Sequence, residues 1–303
     1  MEVRRAGSAT LSSAMRVLTL LPINLYFIYE CPLSDSIPAS SPGGSRAFFS
    51  AYPVFRREEY ARAVDRDPSD PVLSAMLSQH LKAGNLRRIA RGVFASVPPH
   101  AKGGHWAADR YLAASRLKAD AIIAYHSALE LHGAAYTDMP GVQALTRSGP
   151  VVFETPDFSC RFVNAPRGFD PQRDVTTLDR VGLPVRVTTL ERTLVDVFAR
   201  PDLAGGAEEL RDSLALVPRV RGTELLRALE TLGNAAAAAA LGWWLEREQE
   251  RLGTTTATLE AVRALRPKHP QYALGATPGA AVSARGWNIL LPRVLVSPDF
   301  EGM

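Results

Sequence analysis

The sequence predicts an α+β protein in which a small helix-and-hairpin domain precedes a larger mixed α/β domain. Residues 46–96 combine short amphipathic helices with a hairpin signal, whereas residues 105–303 place helical blocks on either side of a run of short strands. At 303 residues the chain is long enough for two domains. We therefore expect an N-terminal extension over 1–45, a small domain over 46–96 and a larger C-terminal domain over 105–303.

The composition is that of an ordinary globular protein with a hydrophobic core, at 46% hydrophobic and 22% charged residues. The net charge of +4 is modest, so its meaning depends on where the basic residues cluster. Cys31 and Cys160 are far apart and have no metal or redox spacing. We predict no disulfide framework and a cytoplasmic location.

The N-terminal extension carries a competing signal. Residues 17–29 are apolar and follow basic residues, as in a secretory signal peptide. The stretch is too short to span a membrane, and Pro22 and Asn24 interrupt it. We interpret residues 1–45 as a disordered extension or as the product of a start codon upstream of the true one, and we expect no membrane partner.

Residues 71–82 are predicted to form a helix with defined ends. Asp70 suits the N-cap and Pro71 the first helical position, while Gly84 tolerates the left-handed backbone that closes a helix. Apolar residues four apart define its buried side, namely Leu73, Leu77 and Leu81.

The opposite side of this helix predicts contact with DNA. It carries small or hydrogen-bonding residues and no carboxylate, which suits a major groove lined by acceptors and phosphates. An ordinary solvated helix face would include Glu or Asp. The residues expected to contact bases or nearby phosphates are Ser74, Ser78, Gln79 and Lys82.

An arginine-rich β-hairpin is predicted directly after the helix. Residues 86–89 and 93–95 have strand character, and Gly92 supplies the positive φ of a short turn. Between residues 71 and 108 there are five Lys or Arg and no Asp or Glu, a distribution that favours phosphates and predicts salt-dependent binding. The residues expected to grip the DNA backbone are Arg87, Arg88 and Arg91.

Helix and hairpin together predict a winged helix-turn-helix over residues 46–96 that binds double-stranded DNA. The same basic surface could instead dock a protein, which would make the chain an interaction module without DNA binding. An enzyme is the third class, because Asp65-Arg66-Asp67 has the D-x-D spacing of nucleotidyltransferases. Its charged middle residue and flanking prolines disfavour a metal-binding strand, so we predict no catalytic residue, no metal site and no cofactor.

Four ordered blocks of the sequence resemble the AbiEi family of antitoxins, which belong to type IV (abortive-infection) toxin–antitoxin systems. The blocks are LSQHLKAGNLRRIARGVFA (77–95), YLAASRLKADAIIAYHSALELHG (111–133), TTLERTLVDVFARPDLAGGAEEL (188–210) and LGWWLEREQERLG (241–253). The resemblance covers roughly residues 48–296. It rests on the order and spacing of the four blocks rather than on one pattern.

This resemblance implies a winged-helix domain that represses its own operon through inverted repeats in the DNA. It also implies a C-terminal domain that neutralises a partner toxin of the nucleotidyltransferase class. Arg87, Arg88 and Arg91 match the basic wing of the family. Arg56 departs from it, because Thr is frequent there and would form a capping box with Glu59. The loop 65–71 also looks longer than a tight helix-turn-helix turn.

Other candidates in the C-terminal domain are interpreted as scaffold. His126 and Glu130 share a helix face, but His132 is six positions from His126 and faces elsewhere, so we predict packed histidines rather than a metal site.

A second group of candidates lies further along the chain. Thr188 and Glu191 fit a capping box, and Arg192 is four residues from Asp196, a spacing expected to give an exposed ion pair. The tryptophan pair 243–244 is interpreted as core, with a partner-binding patch as the open alternative.

Overall fold

The computed structural model describes residues 44–104, 106–155 and 157–296. The predicted extension and its signal-like stretch therefore lie outside the described residues, except for Gly44 and Ser45. Those two residues are the first of α1 (Gly44–Ala51), so this helix includes two residues that precede the predicted boundary at 46. None of the helices in the described part of the chain is long and apolar enough to cross a membrane.

The N-terminal segment, residues 44–96, alternates helices with a small antiparallel sheet. Its elements are α1 (Gly44–Ala51), β1 (Val54–Arg56), α2 (Arg57–Ala63), α3 (Pro71–Lys82), β2 (Leu86–Ala90) and β3 (Val93–Ser96). Strand β3 lies between β1 and β2 and is antiparallel to both. An aromatic cluster of Phe48, Phe55, Tyr60 and Phe94 forms the core of this segment.

The central part of the chain builds a mixed six-stranded sheet. Its elements are α4 (Arg110–Leu117), β4 (Ile122–Ile123), α5 (Tyr125–Leu131), β5 (Gly141–Thr146), β6 (Val151–Glu154), β7 (Ser159–Asn164), β8 (Val175–Arg180) and β9 (Leu183–Thr188). The strand order is β6-β7-β5-β4-β9-β8, with β5–β7 and β4–β9 parallel and the remaining pairs antiparallel. The prediction of short strands over 150–188 is confirmed by β6 to β9, whereas β4 and β5, which precede that range, were not foreseen.

The remainder is mainly helical, as predicted, and ends in a small sheet. Its elements are α6 (Leu190–Ala199), α7 (Gly206–Leu216), α8 (Gly222–Leu232), α9 (Ala235–Arg247), α10 (Gln249–Leu252), α11 (Thr256–Ala264), β10 (Gln271–Tyr272), β11 (Ala281–Ala284), β12 (Ile289–Pro292) and α12 (Arg293–Val296). Six consecutive alanines, residues 235–240, open α9, where Asn234 caps the helix and the alanines at 237–240 are buried in the core. The protein is therefore a mixed α/β protein.

The two parts of the chain share one buried cluster. Val54 of β1 and Val93 of β3 pack with Tyr111 and Leu112 of α4, on the face of the six-stranded sheet that includes Phe162. The apolar base of the small sheet is thereby covered by the following segment rather than by solvent, which joins the N-terminal segment to the larger sheet through a hydrophobic interface.

Candidate nucleic-acid interface

Local sequence signals position helix α3. The carboxylate of Asp70 accepts a hydrogen bond from the backbone N–H of Val72 at 2.7 Å, and Pro71 occupies the first helical position. After the helix, Gly84 adopts a φ of +66°, a left-handed conformation that glycine tolerates without strain. Leu73 and Leu77 are buried in the aromatic core, so the predicted cap, C-terminal glycine and buried side are confirmed.

The side of α3 that faces away from this core is exposed and free of carboxylates. We call it the exposed face of α3, and it consists of Val72, Ala75, Ser78, Gln79 and Lys82. Three of the four helix residues predicted to contact DNA belong to it. The fourth, Ser74, is half-buried, and its hydroxyl accepts a hydrogen bond from the guanidinium of Arg57 at 2.7 Å. Ser74 therefore stabilises the junction between α2 and α3 instead of facing outward.

Strands β2 and β3 form the predicted hairpin. Gly92 at its turn has a φ of +75°, and the pairing shifts register between Arg88 and Ala90, which marks a bulge in β2. Arg88 and Arg91 are exposed, and the guanidinium of Arg88 lies over the ring of Phe94 at 5.6 Å from its centroid. Both charges are thus presented to solvent beside the helix.

Arg87 occupies a different environment from its two neighbours. Its guanidinium forms an ion pair with Asp157 in the turn between β6 and β7, and it lies over the ring of Trp106 at 5.2 Å. A cation neutralised by a carboxylate is less available to a phosphate. Arg87 links the hairpin to the six-stranded sheet, because Asp157, 70 positions away, supplies a partner that the local pattern does not indicate. Its contact with DNA stays a prediction.

Arg57 connects the elements of the interface, and sequence reasoning missed it. Its side chain donates to the backbone carbonyls of Pro68 and Asp70 as well as to Ser74, while its backbone N–H donates to the carbonyl of Gly92 at 2.8 Å. One residue therefore joins the start of α2, the first turn of α3 and the turn of the hairpin. The only local signal was a basic residue at the start of a helix.

The amino end of α3 is acidic, in contrast to its exposed face. Two hydrogen bonds from Ser69 hold the pKa of Asp67 below its usual range. The Val72 N–H and the Arg66 guanidinium do the same for the pKa of Asp70. Asp65, Arg66 and Asp67 lie on the loop between α2 and α3, so the D-x-D spacing is not carried by a strand.

The capping box between Arg56 and Glu59 is half present. The backbone N–H of Arg56 donates to the Glu59 carboxylate, but a guanidinium cannot accept a bond in return. The Arg56 side chain instead donates to the backbone carbonyls of Arg116 and Ser115 at 2.8 and 3.3 Å. Arginine at this position therefore stabilises the contact between the N-terminal segment and α4.

His126 of α5 is buried and His132, the C-cap of that helix, is half-buried, so both histidines are packed as the sequence predicted. His126 lies between two carboxylates, with Nδ1 3.4 Å from Glu130 and Nε2 3.0 Å from Glu209. Burial would lower the pKa of His126, but the two carboxylates outweigh burial and raise it above its usual value. His132 contacts the backbone carbonyl of Thr188 at 2.7 Å instead. Because the carboxylates contact opposite ring nitrogens, they do not converge on one point, and the described residues contain no group of His, Cys, Asp or Glu that could hold a metal ion.

The ion pair between Arg192 and Asp196 is buried, which corrects the prediction of an exposed pair. The guanidinium of Arg192 has no exposed surface, and it contacts Asp196 at 2.7 Å and Asp174 at 3.3 Å. Arg227 binds the other oxygen of Asp174. Spacing of four residues is the same on both sides of a helix, so the local pattern could not distinguish the buried side from the exposed one.

The predicted capping box at the start of α6 was shifted by one residue. Thr189, not Thr188, is the N-cap, and its hydroxyl accepts from the N–H of Arg192. Thr188 instead bonds the hydroxyl of Thr193 at 2.6 Å. Glu191 is bound by the Arg221 guanidinium and backbone N–H at 2.8 and 2.9 Å, so this residue joins α6 to the start of α8.

The two adjacent tryptophans of α9 differ in burial, because neighbouring residues of a helix point in different directions. Trp244 is buried and packs against Phe198, whereas Trp243 is half-buried beneath the guanidinium of Arg247. The interpretation of the pair as core therefore fits Trp244 fully and Trp243 in part.

Comparison with known proteins gives a likeness in fold. No protein-family model matches the chain, and no curated protein matches it. Among solved structures, the chain is similar to the crystal structure of the Rv2827c protein from Mycobacterium tuberculosis, with a TM-score of 0.51 and 19% sequence identity over 80% of this chain and 87% of that one. At this identity the likeness concerns the fold alone, and it extends over most of both chains.

Proposed function

We propose that the chain is a DNA-binding autorepressor and the antitoxin of a type IV toxin–antitoxin system, in which residues 44–96 act as a winged helix-turn-helix. In this proposal α3 lies in the major groove and the β2–β3 hairpin lies along the backbone of double-stranded operator DNA. The larger segment neutralises a toxin of the nucleotidyltransferase class. No catalytic step is assigned to the chain itself.

A single observation carries the DNA-binding part, namely the exposed face of α3 beside the exposed arginines of the hairpin. Ser78, Gln79 and Lys82 present donors and a positive charge without a carboxylate among them. Arg88 and Arg91 add two further cations on the adjacent hairpin. Phosphates attract such a surface, and base edges in the major groove accept hydrogen bonds from these side chains.

The order of elements supports the same assignment. Helix, strand, two helices and a hairpin follow one another over residues 44–96, and strand β1 closes the hairpin into a three-stranded sheet. The connection between α2 and α3 is longer than a tight turn. The bonds from Arg57 to Pro68, Asp70 and Ser74 hold that connection in place.

The antitoxin part rests on the resemblance of the four sequence blocks. Three of those blocks lie outside the N-terminal segment, on α4 and α5, on α6 and on α9 with α10. They carry buried contacts of the larger segment, including the Arg192 network.

Binding of the full chain to its own upstream DNA tests the proposal. A fluorescently labelled duplex from upstream of the reading frame is compared with a scrambled duplex of equal composition in an anisotropy titration. We expect tighter binding to the upstream duplex and a linear fall of log K with log salt concentration. Equal affinity for both duplexes, or no binding, would overturn the DNA-binding part.

Coexpression tests the antitoxin part separately. The full chain is expressed in bacteria together with the product of the reading frame that neighbours its own gene, and growth is compared with that of cells expressing the neighbouring product alone. Rescue of growth is expected, and continued arrest would contradict the assignment. Rescue without any DNA binding would favour the alternative of a toxin-neutralising module that does not contact DNA.

A further inference from the structure

The exposed face of α3 has an apolar part that the hydrogen-bonding argument leaves unused. Val72, at the second helical position, is 47% exposed although the residue after it, Leu73, is fully buried. Ala75, one turn further on, is exposed as well. Val72 and Ala75 therefore add exposed apolar groups to the hydrogen-bonding and charged groups of the same face.

These residues form one row along the helix. Val72, Ala75, Gln79 and Lys82 follow the spacing i, i+3, i+7 and i+10, which places them on one side of an α-helix. The rise from Val72 to Gln79 is about 10 Å, which spans roughly three base pairs when the helix lies along a groove. The row therefore presents apolar groups first, then an amide, then a cation.

Each part of the row matches a different group in the major groove. Thymine is the base that offers a methyl group there, and apolar side chains contact it, whereas glutamine pairs with the N6 and N7 atoms of adenine. Carboxylates, which accept from cytosine, are absent from the row. The nearest one, Asp70, has one oxygen on the Val72 N–H and the other on Arg66.

We infer that the row recognises an A·T-containing half-site, with Val72 and Ala75 against thymine methyl groups and Gln79 against adenine. The inference rests on the proposed DNA binding and adds the base composition of the site. A duplex fits the row better than a protein does, because the row ends in the exposed cation Lys82, and the hairpin that follows α3 adds the exposed cations Arg88 and Arg91, which complement phosphates.

Removal of the thymine methyl groups tests the inference directly. The upstream duplex is prepared with deoxyuridine in place of thymidine, which preserves base pairing and deletes the 5-methyl group. The full chain is expected to bind the uracil duplex about 4-fold more weakly for each methyl group contacted. The same titration with the Val72→Ser variant is expected to lower the thymine-over-uracil ratio by about 4-fold.

A matched variant excludes general effects of the substitution. Val152 is 53% exposed on β6, an edge strand of the six-stranded sheet, so Val152→Ser removes a similarly exposed valine that does not belong to α3 or the hairpin. This control is expected to keep the full thymine-over-uracil ratio. Thermal unfolding of both variants checks that neither change disturbs the fold.

The outcomes separate the inference from the proposed function. Tight binding with equal affinity for the thymine and uracil duplexes overturns the inference and leaves DNA binding intact. A thymine preference that Val72→Ser does not change also overturns the role of this residue. Failure of the wild-type chain to bind either duplex would remove the proposed DNA binding together with the inference.

Discussion

The arginines of the hairpin and those behind the six-stranded sheet are the same residue type in opposite surroundings. Arg88 and Arg91 are exposed beside α3, whereas Arg192 is fully buried between Asp174 and Asp196. Loss of Arg192 would leave Asp196 buried without its partner. A buried charge without a partner is costly, so Arg192 contributes to the stability of the fold. An exposed charge adds little to stability, so Arg88 and Arg91 are available for a ligand. Burial, rather than residue type, separates scaffold from interface.

The largest effect is expected when the buried guanidinium of Arg192 is removed. Arg192→Met keeps most of the side-chain volume but leaves Asp196 buried without its partner. We expect the free energy of unfolding to fall by about 3–5 kcal/mol in a denaturant titration. The control, Arg200→Met, breaks a pair with Asp202 that is 48% and 54% exposed and should cost less than about 1 kcal/mol. An equal fall in the free energy of unfolding in both variants would show that burial does not separate these arginines.

The second test uses pH on the buried carboxylate Glu209. Burial would raise its pKa, but hydrogen bonds from His126, Ser213 and Thr137 outweigh burial and lower the pKa of Glu209 to about 2. A lowered folded-state pKa gives stability that is present above the unfolded value and is lost as pH falls toward 2. We expect a loss of about 3 kcal/mol between pH 4.5 and 2, measured by urea unfolding.

Variants of Glu209 and His126 show whether these residues cause the pH dependence of stability. Glu209→Gln should abolish the fall in the free energy of unfolding between pH 4.5 and 2, and an unchanged fall would contradict the assignment to Glu209. His126 has the opposite sign, because its pKa is raised. Its contribution is present below pH 6.5 and is lost as pH rises through the raised value, so His126→Gln should flatten the decline in stability that begins above pH 6.5.

The third test concerns the exposed face of α3. Gln79→Ala should weaken binding to the upstream duplex by about 1–3 kcal/mol and reduce discrimination against base changes at one position. Stability should stay within about 0.5 kcal/mol of wild type. Gln172→Ala, an exposed glutamine in a loop before β8, serves as the control. A similar loss of affinity in both variants would show that Gln79 has no particular contact with bases.

The smallest effect per residue is expected at the hairpin. The double change Arg88→Ala plus Arg91→Ala should weaken all DNA sequences alike and reduce the slope of log K against log salt by about 2. The control removes two exposed arginines elsewhere, Arg147 and Arg285. Anisotropy titrations at several salt concentrations measure the slopes, and equal slopes for the two double variants would place the DNA elsewhere.

Local chemistry made part of this molecule predictable. Asp70, Pro71 and Gly84 mark the ends of α3 within a few residues of sequence, and Gly92 marks the hairpin turn by the same kind of signal. Such signals act between neighbours in the chain. The helix, the hairpin and the exposure of Gln79 on the side opposite the leucines therefore followed from the sequence.

Contacts between distant residues were beyond the same reasoning. Arg87 meets Asp157 and Trp106, and Arg192 meets Asp174, because the tertiary fold brings these segments together. The spacing of four residues between Arg192 and Asp196 is the same whether the pair is buried or exposed to solvent. Ser74 was assigned to the wrong environment for a similar reason, since its partner Arg57 lies on the preceding helix.

The apolar contact between the small sheet and α4 restricts movement of the N-terminal segment relative to the larger segment. Val54 and Val93 pack against Tyr111 and Leu112, so the segment with α3, the helix proposed to bind DNA, is joined to the larger segment by a hydrophobic contact as well as by the chain. Two copies held together through their larger segments would consequently offer their helices at one separation and one angular phase. An operator would then tolerate single base changes within a half-site more readily than an insertion of about 5 base pairs, half a helical turn, between half-sites.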